Sequence, residues 1–209
     1  ATFINVDSSN VGEINTPAGW TQEITFISGA SNGGYLICKS ADGTEDGTTV
    51  DFTTDLARRV SAHVYRILDW GNSLIDNISS AGGVTGSSTA PDPPSVTFEG
   101  GSNDYLVITA FCSEVDDCDP VTPPTSYSDP EISTKPGGSQ LVTARRTVNN
   151  ASSENPGTFS KNGTNSWAAM TAAFGPGAGG GGRKKPPPGG QSGRNFWPYS
   201  FGHSGENVI

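Results

Sequence analysis

Two short stretches gather the carboxylates that could do chemistry. Asp42, Glu45 and Asp46 lie in the loop 41–47, and Glu114, Asp116, Asp117 and Asp119 surround Cys118. Calcium takes six to eight oxygen ligands and is often held by such loops. Paired carboxylates at a suitable separation can hydrolyse glycosidic bonds. Neither stretch has the ligand spacing of an EF-hand, so both read as solvated acidic turns, and no metal or other cofactor is expected. His63 and His203 are the only histidines, and His63 falls in a strand-like segment where a structural role is expected. The sequence contains no Gly-x-Ser-x-Gly, no His-Glu-x-x-His, no Walker loop and no dinucleotide fingerprint. It offers no local grouping of nucleophile, base and orienting residue. The chain reads as non-enzymatic.

Side chains suited to binding are densest near the C-terminal end. Phe196, Trp197, Tyr199 and Phe201 place four aromatics in six residues. Ahead of them come Arg183, Lys184 and Lys185, then Pro186, Pro187 and Pro188, and before those the glycine-rich run 175–182. Segments that never fold are poor in aromatics. Residues 195–209 therefore read as an anchor that folds onto a partner, and 175–194 as its flexible, partly polyproline tether. The partner-binding residues expected are Phe196, Trp197, Tyr199, Phe201, Arg183, Lys184 and Lys185.

Charge divides the chain at the same place. Residues 1–174 carry 8 Lys and Arg against 20 Asp and Glu, a balance of −12; the remainder carries 4 against 1, a balance of +3. An acidic body repels phosphates, so no nucleic-acid partner is expected. A basic arm suits an acidic neighbour, including the body of another copy. No apolar run approaches the ~18 residues of a membrane helix, and no membrane partner is expected. The start at Ala1, with no charged and apolar leader, fits cytoplasmic synthesis. Cys38 sits in an apolar strand and reads as a buried thiol. Cys112 and Cys118 flank a five-residue loop that a disulfide could close, and a reduced pair fits equally well.

Hydrophobic residues make up only 33% of the chain, with 28 Gly and 15 Pro, which favours a loop-rich β protein over a helical one. Gln22 to Ile27 alternates, with Ile24 and Phe26 on one face. Tyr35 to Lys39 is a short apolar run and Thr48 to Thr53 alternates, so 33–54 reads as a hairpin around a Gly/Asp loop. Phe3 to Val6 reads as an edge strand or arm, and Trp20 as cover for one end of the core. Residues 58–70 read as a strand. Residues 104–111 are almost continuously apolar and read as the central core strand. Residues 95–98, 140–148 and 166–174 complete the set. The stretch 72–94 reads as a long interface loop. The prolines of 113–138 exclude a central strand there. The fold class is all-β, an antiparallel β-sandwich with jelly-roll wiring over residues 1–174, followed by a flexible Gly/Pro-rich C-terminal arm.

The succession Pro17-Ala18-Gly19-Trp20, an apolar strand, Ala41-Asp42-Gly43-Thr44-Glu45 and the Thr-rich alternating strand resembles a β-sandwich domain of tailed-bacteriophage structural proteins. The closing segment Trp167 to Phe174 looks like that domain's last strand, so the likeness covers about residues 1–174. It implies a virion protein made in the host cytoplasm, assembling with itself, with the major capsid protein or with another virion protein. A capsid decoration protein held by its C-terminal arm is the function expected. A tail-fibre or receptor-binding component recognising a host surface glycan is the alternative, although no coiled-coil or repeat shaft is present. A carbohydrate-binding module is a third reading, with Trp20, Tyr65, Trp70 and Tyr127 as the aromatics that could stack on sugars.

Overall fold

A computed structural model describes residues 1–7, 14–28, 32–43, 47–67, 78–116, 118–136, 138–175 and 199–200 of the 209. Among the described residues the chain forms fourteen strands and no helix. The first six are β1 (Thr2–Val6), β2 (Ile14–Asn15), β3 (Thr21–Ser28), β4 (Asn32–Cys38), β5 (Thr53–Thr54) and β6 (Val60–Val64). Then come β7 (Ile78–Ser87), β8 (Val96–Thr97), β9 (Asn103–Ser113) and β10 (Ser128–Lys135). The last four are β11 (Ser139–Ala151), β12 (Ser153–Glu154), β13 (Ser166–Phe174) and β14 (Tyr199–Ser200). Two five-stranded sheets face each other, ordered β14-β6-β1-β4-β3 and β10-β11-β9-β13-β7, with antiparallel pairing throughout. The all-β antiparallel sandwich is as expected, and β9 is the middle strand of its sheet.

The wiring departs from a jelly roll. A jelly roll sends the chain back and forth between its two sheets. Here β1, β3, β4 and β6 fill the first sheet before the chain crosses to β7, and β7, β9, β10, β11 and β13 make up the second, while β8 and β12 pair with each other. Among the described strands after β7, β14 alone returns to the first sheet.

Alternation along the strands builds three apolar layers. Between the sheets, Phe3, Ile24, Phe26 and Leu36 meet Leu106, Ile108, Leu141, Met170 and Phe174. On the outer face of the second sheet, Tyr105, Val107, Phe111, Val142 and Trp167 are covered by Val96, Phe98, Cys118, Tyr127 and Phe159 from the connections. On the outer face of the first, Ile4, Val6, Tyr35 and Ile37 lie under Ile14, Trp20 and Phe52. The long polar connections therefore serve as lids on two sheet faces. Trp20 contributes to an outer face rather than an end of the core, with its ring edge-on to Phe52 at 5.3 Å.

Three further sequence expectations are corrected. The hairpin read over 33–54 does not form, because β3 and β1 take both edges of β4. Thr53–Thr54 pairs instead with Ile14–Asn15. Phe3 to Val6 is neither edge nor arm: β1 lies between β4 and β6 and is buried along its whole length. Within 72–94, residues 78–87 form β7, paired along β13. Its glycines read as loop because they make room. A Cβ on Gly86 would stand 2.4 Å from the Trp167 ring, and one on Gly82 would stand 2.6 Å from Ile24 Cγ2.

Candidate functional site

The first sheet meets β11 through a polar seam that the sequence did not announce. Ser61, His63 and Tyr65 project inward from β6 and its extension, alternating with Val60, Ala62 and Val64 on the outside. The Asn5 side chain donates to the carbonyls of Gln140 and Ser113 at 3.0 and 3.3 Å and to Ser139 Oγ at 3.0 Å. Thr143 Oγ1 lies 2.8 Å from His63 Nδ1 and 2.5 Å from the Tyr65 hydroxyl. His63, Tyr65 and Thr143 are 3, 6 and 0% exposed. Burial pushes the imidazole down to about 4 and the phenol up to about 12, so at neutral pH both are uncharged. Its Nε2 has no hydrogen-bond partner among the described residues. A hydroxyl between an imidazole and a phenol has the composition of a proton-transfer site, but this one is sealed from solvent. Its evident work is to join the sheets in one register, because a one-residue slip of β6 would turn all three inward groups outward.

The expected binding residues divide between described and undescribed segments. Arg183, Lys184, Lys185, Phe196, Trp197 and Phe201 lie outside the described residues, as do Glu45, Asp46, Trp70, Asp117 and His203. Tyr199 is placed: β14 runs antiparallel along β6, with Tyr199 opposite Val64 and Ser200 opposite His63. Of the aromatics considered for sugar stacking, Tyr65 and Tyr127 are buried and Trp20 is packed on Phe52, so the described ones form no common platform. Tyr127 also donates to Glu154 at 3.2 Å, a carboxylate that Arg146 holds at 2.8 Å. Among the described residues no group of three or more His, Cys, Asp or Glu is placed to hold a metal.

Cys38, Cys112 and Cys118 are all buried as thiols. Cys112 faces the layer between the sheets while Cys118 joins the outer layer, so the second sheet separates them. Burial raises the thiols of Cys38, to about 12, and of Cys112, which keeps both as unreactive thiols at neutral pH.

What remains exposed is edge. β3 and β7 lie along one flank of the sandwich, and β6 and β10 along the other. β6 carries β1 along its full length on one side and, among the described residues, β14 at Val64 and His63 on the other. Its outward row is apolar: Val60 is 36% exposed, Ala62 and Val64 are half-buried, and Leu56 just upstream is 58% exposed. The sequence signal for this edge was the Val60, Ala62, Val64 alternation, which usually marks a core-facing side. No protein-family model, curated protein or solved structure matches the chain.

Proposed function

We propose that this chain is a non-enzymatic structural protein of a tailed-phage virion, a capsid decoration protein whose sandwich is the body and whose C-terminal segment ties it to a neighbour. The observation that carries this reading is β14 on β6, a strand beyond a Gly-, Pro- and Lys/Arg-containing connection that takes up a sheet edge of the body. A rigid sandwich with a tethered strand has the parts of a connector. Main-chain pairing to an open edge supplies affinity, and alternate side chains supply specificity. The acidic body and basic arm add electrostatic guidance, which speeds docking on an acidic neighbour and weakens it in salt. The likeness to phage sandwich domains spans the residues that fold as the body, which supports a virion origin.

The test is binding to particles. Purified chain is mixed with phage heads lacking it and sedimented, and bound heads are imaged. The expected result is regular occupancy of the shell, weakened by raised salt. A chain that never co-sediments with heads would remove the decoration reading.

A further inference from the structure

We propose that Asn162 is a site of self-modification. The main-chain nitrogen of Gly163, activated by the buried Lys161 ammonium, attacks the Asn162 side-chain amide and turns asparagine into aspartate and isoaspartate. The inference concerns a connection of the body alone and is independent of the virion reading.

The chain has two Asn-Gly pairs, Asn32-Gly33 and Asn162-Gly163. Glycine after asparagine leaves the attacking nitrogen unshielded, because no Cβ stands beside it and the backbone turns freely. The fold treats the two pairs in opposite ways. Asn32 is 0% exposed and lies in β4, where Gly33 is paired with Val6 of β1 on one side and Ile27 of β3 on the other. That backbone turns its nitrogen onto a side chain only if the sheet opens. Asn162 is exposed, and Gly163 lies in a bend outside every strand with φ at +70°. Neither the Asn162 side chain nor the Gly163 N–H has a hydrogen bond among the described residues.

Lys161 supplies the electrostatics. It is 4% exposed, and its Nζ donates to the Gly163 carbonyl at 2.8 Å and to the Asn162 carbonyl at 3.4 Å. Among the described residues no ion pair holds it. The Asn162 carbonyl and the Gly163 nitrogen are the two ends of one peptide group. A cation on that oxygen favours the deprotonated nitrogen, which is the nucleophile. An ammonium withdrawn from water does so at a lower effective dielectric than a surface lysine.

The step balances with water alone. A solvent base takes the Gly163 N–H proton. The nitrogen bonds to Asn162 Cγ, the Cγ–Nδ2 bond breaks, and the amide nitrogen takes up a proton and leaves as ammonia. Water then opens the cyclic imide at one carbonyl to give aspartate or at the other to give isoaspartate. Either product adds one negative charge to a body of balance −12. Isoaspartate also lengthens the main chain between two anchors of this connection. These are Asn162 N on the Cys118 carbonyl at 3.0 Å and the Ser87 hydroxyl on the Thr164 carbonyl at 3.1 Å. The same connection carries Phe159, part of the cover on the outer face of the second sheet, so modification loosens that cover.

The test ages the folded chain in warm, mildly alkaline buffer and maps its peptides by mass spectrometry, with aspartate and isoaspartate separated by chromatography. Asn162 should convert at least ten-fold faster than Asn32, and the two rates should converge in urea, where the fold no longer distinguishes them. Equal rates in the folded chain, or an Asn162 that stays an amide while the unfolded chain converts, overturn the proposal. Lys161→Met, checked for folding by circular dichroism, should slow conversion at Asn162 several-fold and move the alkaline rise of its rate to higher pH, with no effect in urea. Lys161→Arg, which keeps the charge, should recover part of the rate. A folded Lys161→Met chain that converts as fast as the natural one overturns the role given to the ammonium.

Discussion

The two flanks of the sandwich are closed by different physics. Along β3 and β7 the contact is a matter of volume. Ile24 presses against glycine-rich β7, where a Cβ on Gly82 would sit 2.6 Å from Ile24 Cγ2, and a Cβ on Gly34 of neighbouring β4 would sit 2.2 Å from the Phe26 ring. Along β6 and β11 the contact is a matter of direction, carried by Asn5, Ser61, His63 and Tyr65 against Ser139, Gln140 and Thr143. A volume-defined contact such as that of Ile24 and Phe26 punishes any added atom and contains no titratable group. A hydrogen-bonded flank tolerates small changes in volume but depends on the protonation of its members. The polar flank is also the one where the first sheet takes up the returning strand. There the seam holds β6 in the register at which β14 pairs with it.

The largest expected effect belongs to the polar flank. His63 titrates near 6.5 when unfolded and near 4 when folded, because burial disfavours the imidazolium. Between those values the unfolded chain binds the extra proton, so stability is complete above pH 6.5 and falls as pH drops toward 4. That loss amounts to about 3 kcal/mol. Glu23 acts with the opposite sign: burial first, and the nearby Glu99 second, raise its carboxyl, so its contribution is present at low pH and is lost as pH rises. The clean readout is therefore the natural chain minus His63→Gln in urea unfolding across pH 4 to 7. The acid-dependent loss due to His63 should remain in the difference, while the Glu23 contribution, common to both chains, cancels. Identical profiles would mean that the imidazole does not govern acid sensitivity.

On the apolar flank, Gly34→Ala should cost about 1–3 kcal/mol through overpacking, with the same value at pH 5 and pH 7. Thermal unfolding would register this as a drop of roughly 2–4 °C for each kcal/mol. Phe26→Leu in the same chain should recover part of it, because the two side chains share the space. A cost that varied with pH would break the contrast between the flanks.

The volume-defined parts of the fold were the legible ones. β3, β9, β11 and β13 were readable because alternation or a continuous apolar run is a local property of sequence. β7 was hidden because its glycines are chosen by Ile24 and Trp167, residues far away in the chain. The 33–54 hairpin failed for a similar reason: local turn chemistry was right for pairing, but β1 and β3 outcompeted 48–53 for the edges of β4. Pro130 was compatible with β10 only because β10 is an edge strand. The aromatic cluster pointed to Tyr199 but could not say which edge it meets. The seam was illegible because Val60, Ala62 and Val64 advertise a core face, while the structure turns Ser61, His63 and Tyr65 inward to meet Thr143 and Ser139.

A smaller effect sharpens the seam itself. Thr143→Val keeps the shape and removes the hydroxyl that His63 and Tyr65 share. Two buried polar groups then lose their partner, a cost of about 1–3 kcal/mol. Tyr65→Phe added to Thr143→Val should cost less than it does alone, since the phenol no longer has that hydroxyl to lose. Additive costs in urea melts would show that the three groups do not act as one unit.

The smallest effect expected on this flank is Ser61→Ala. Ser61 sits beside Asn5 in the register of β1 and β6, so the two look interchangeable as bridges to Ser139. Their geometry says otherwise. Asn5 holds two acceptors at 3.0 Å, whereas Ser61 Oγ reaches the carbonyl and hydroxyl of Ser139 only at 3.4 and 3.3 Å. Hydroxyl contacts that long are well beyond the usual O–H···O distance and contribute little. Removing one small oxygen opens almost no cavity, and Asn5 still donates to Ser139 Oγ. The change should therefore stay within about 0.5 kcal/mol of the natural chain, a size typical of substitutions away from strong contacts. Asn5→Ala, which strands the acceptors at Gln140 and Ser139, should cost several times more. Equal costs for the two, measured by urea unfolding at pH 7, would mean that the seam acts through packing volume after all, and the contrast between the flanks would fall.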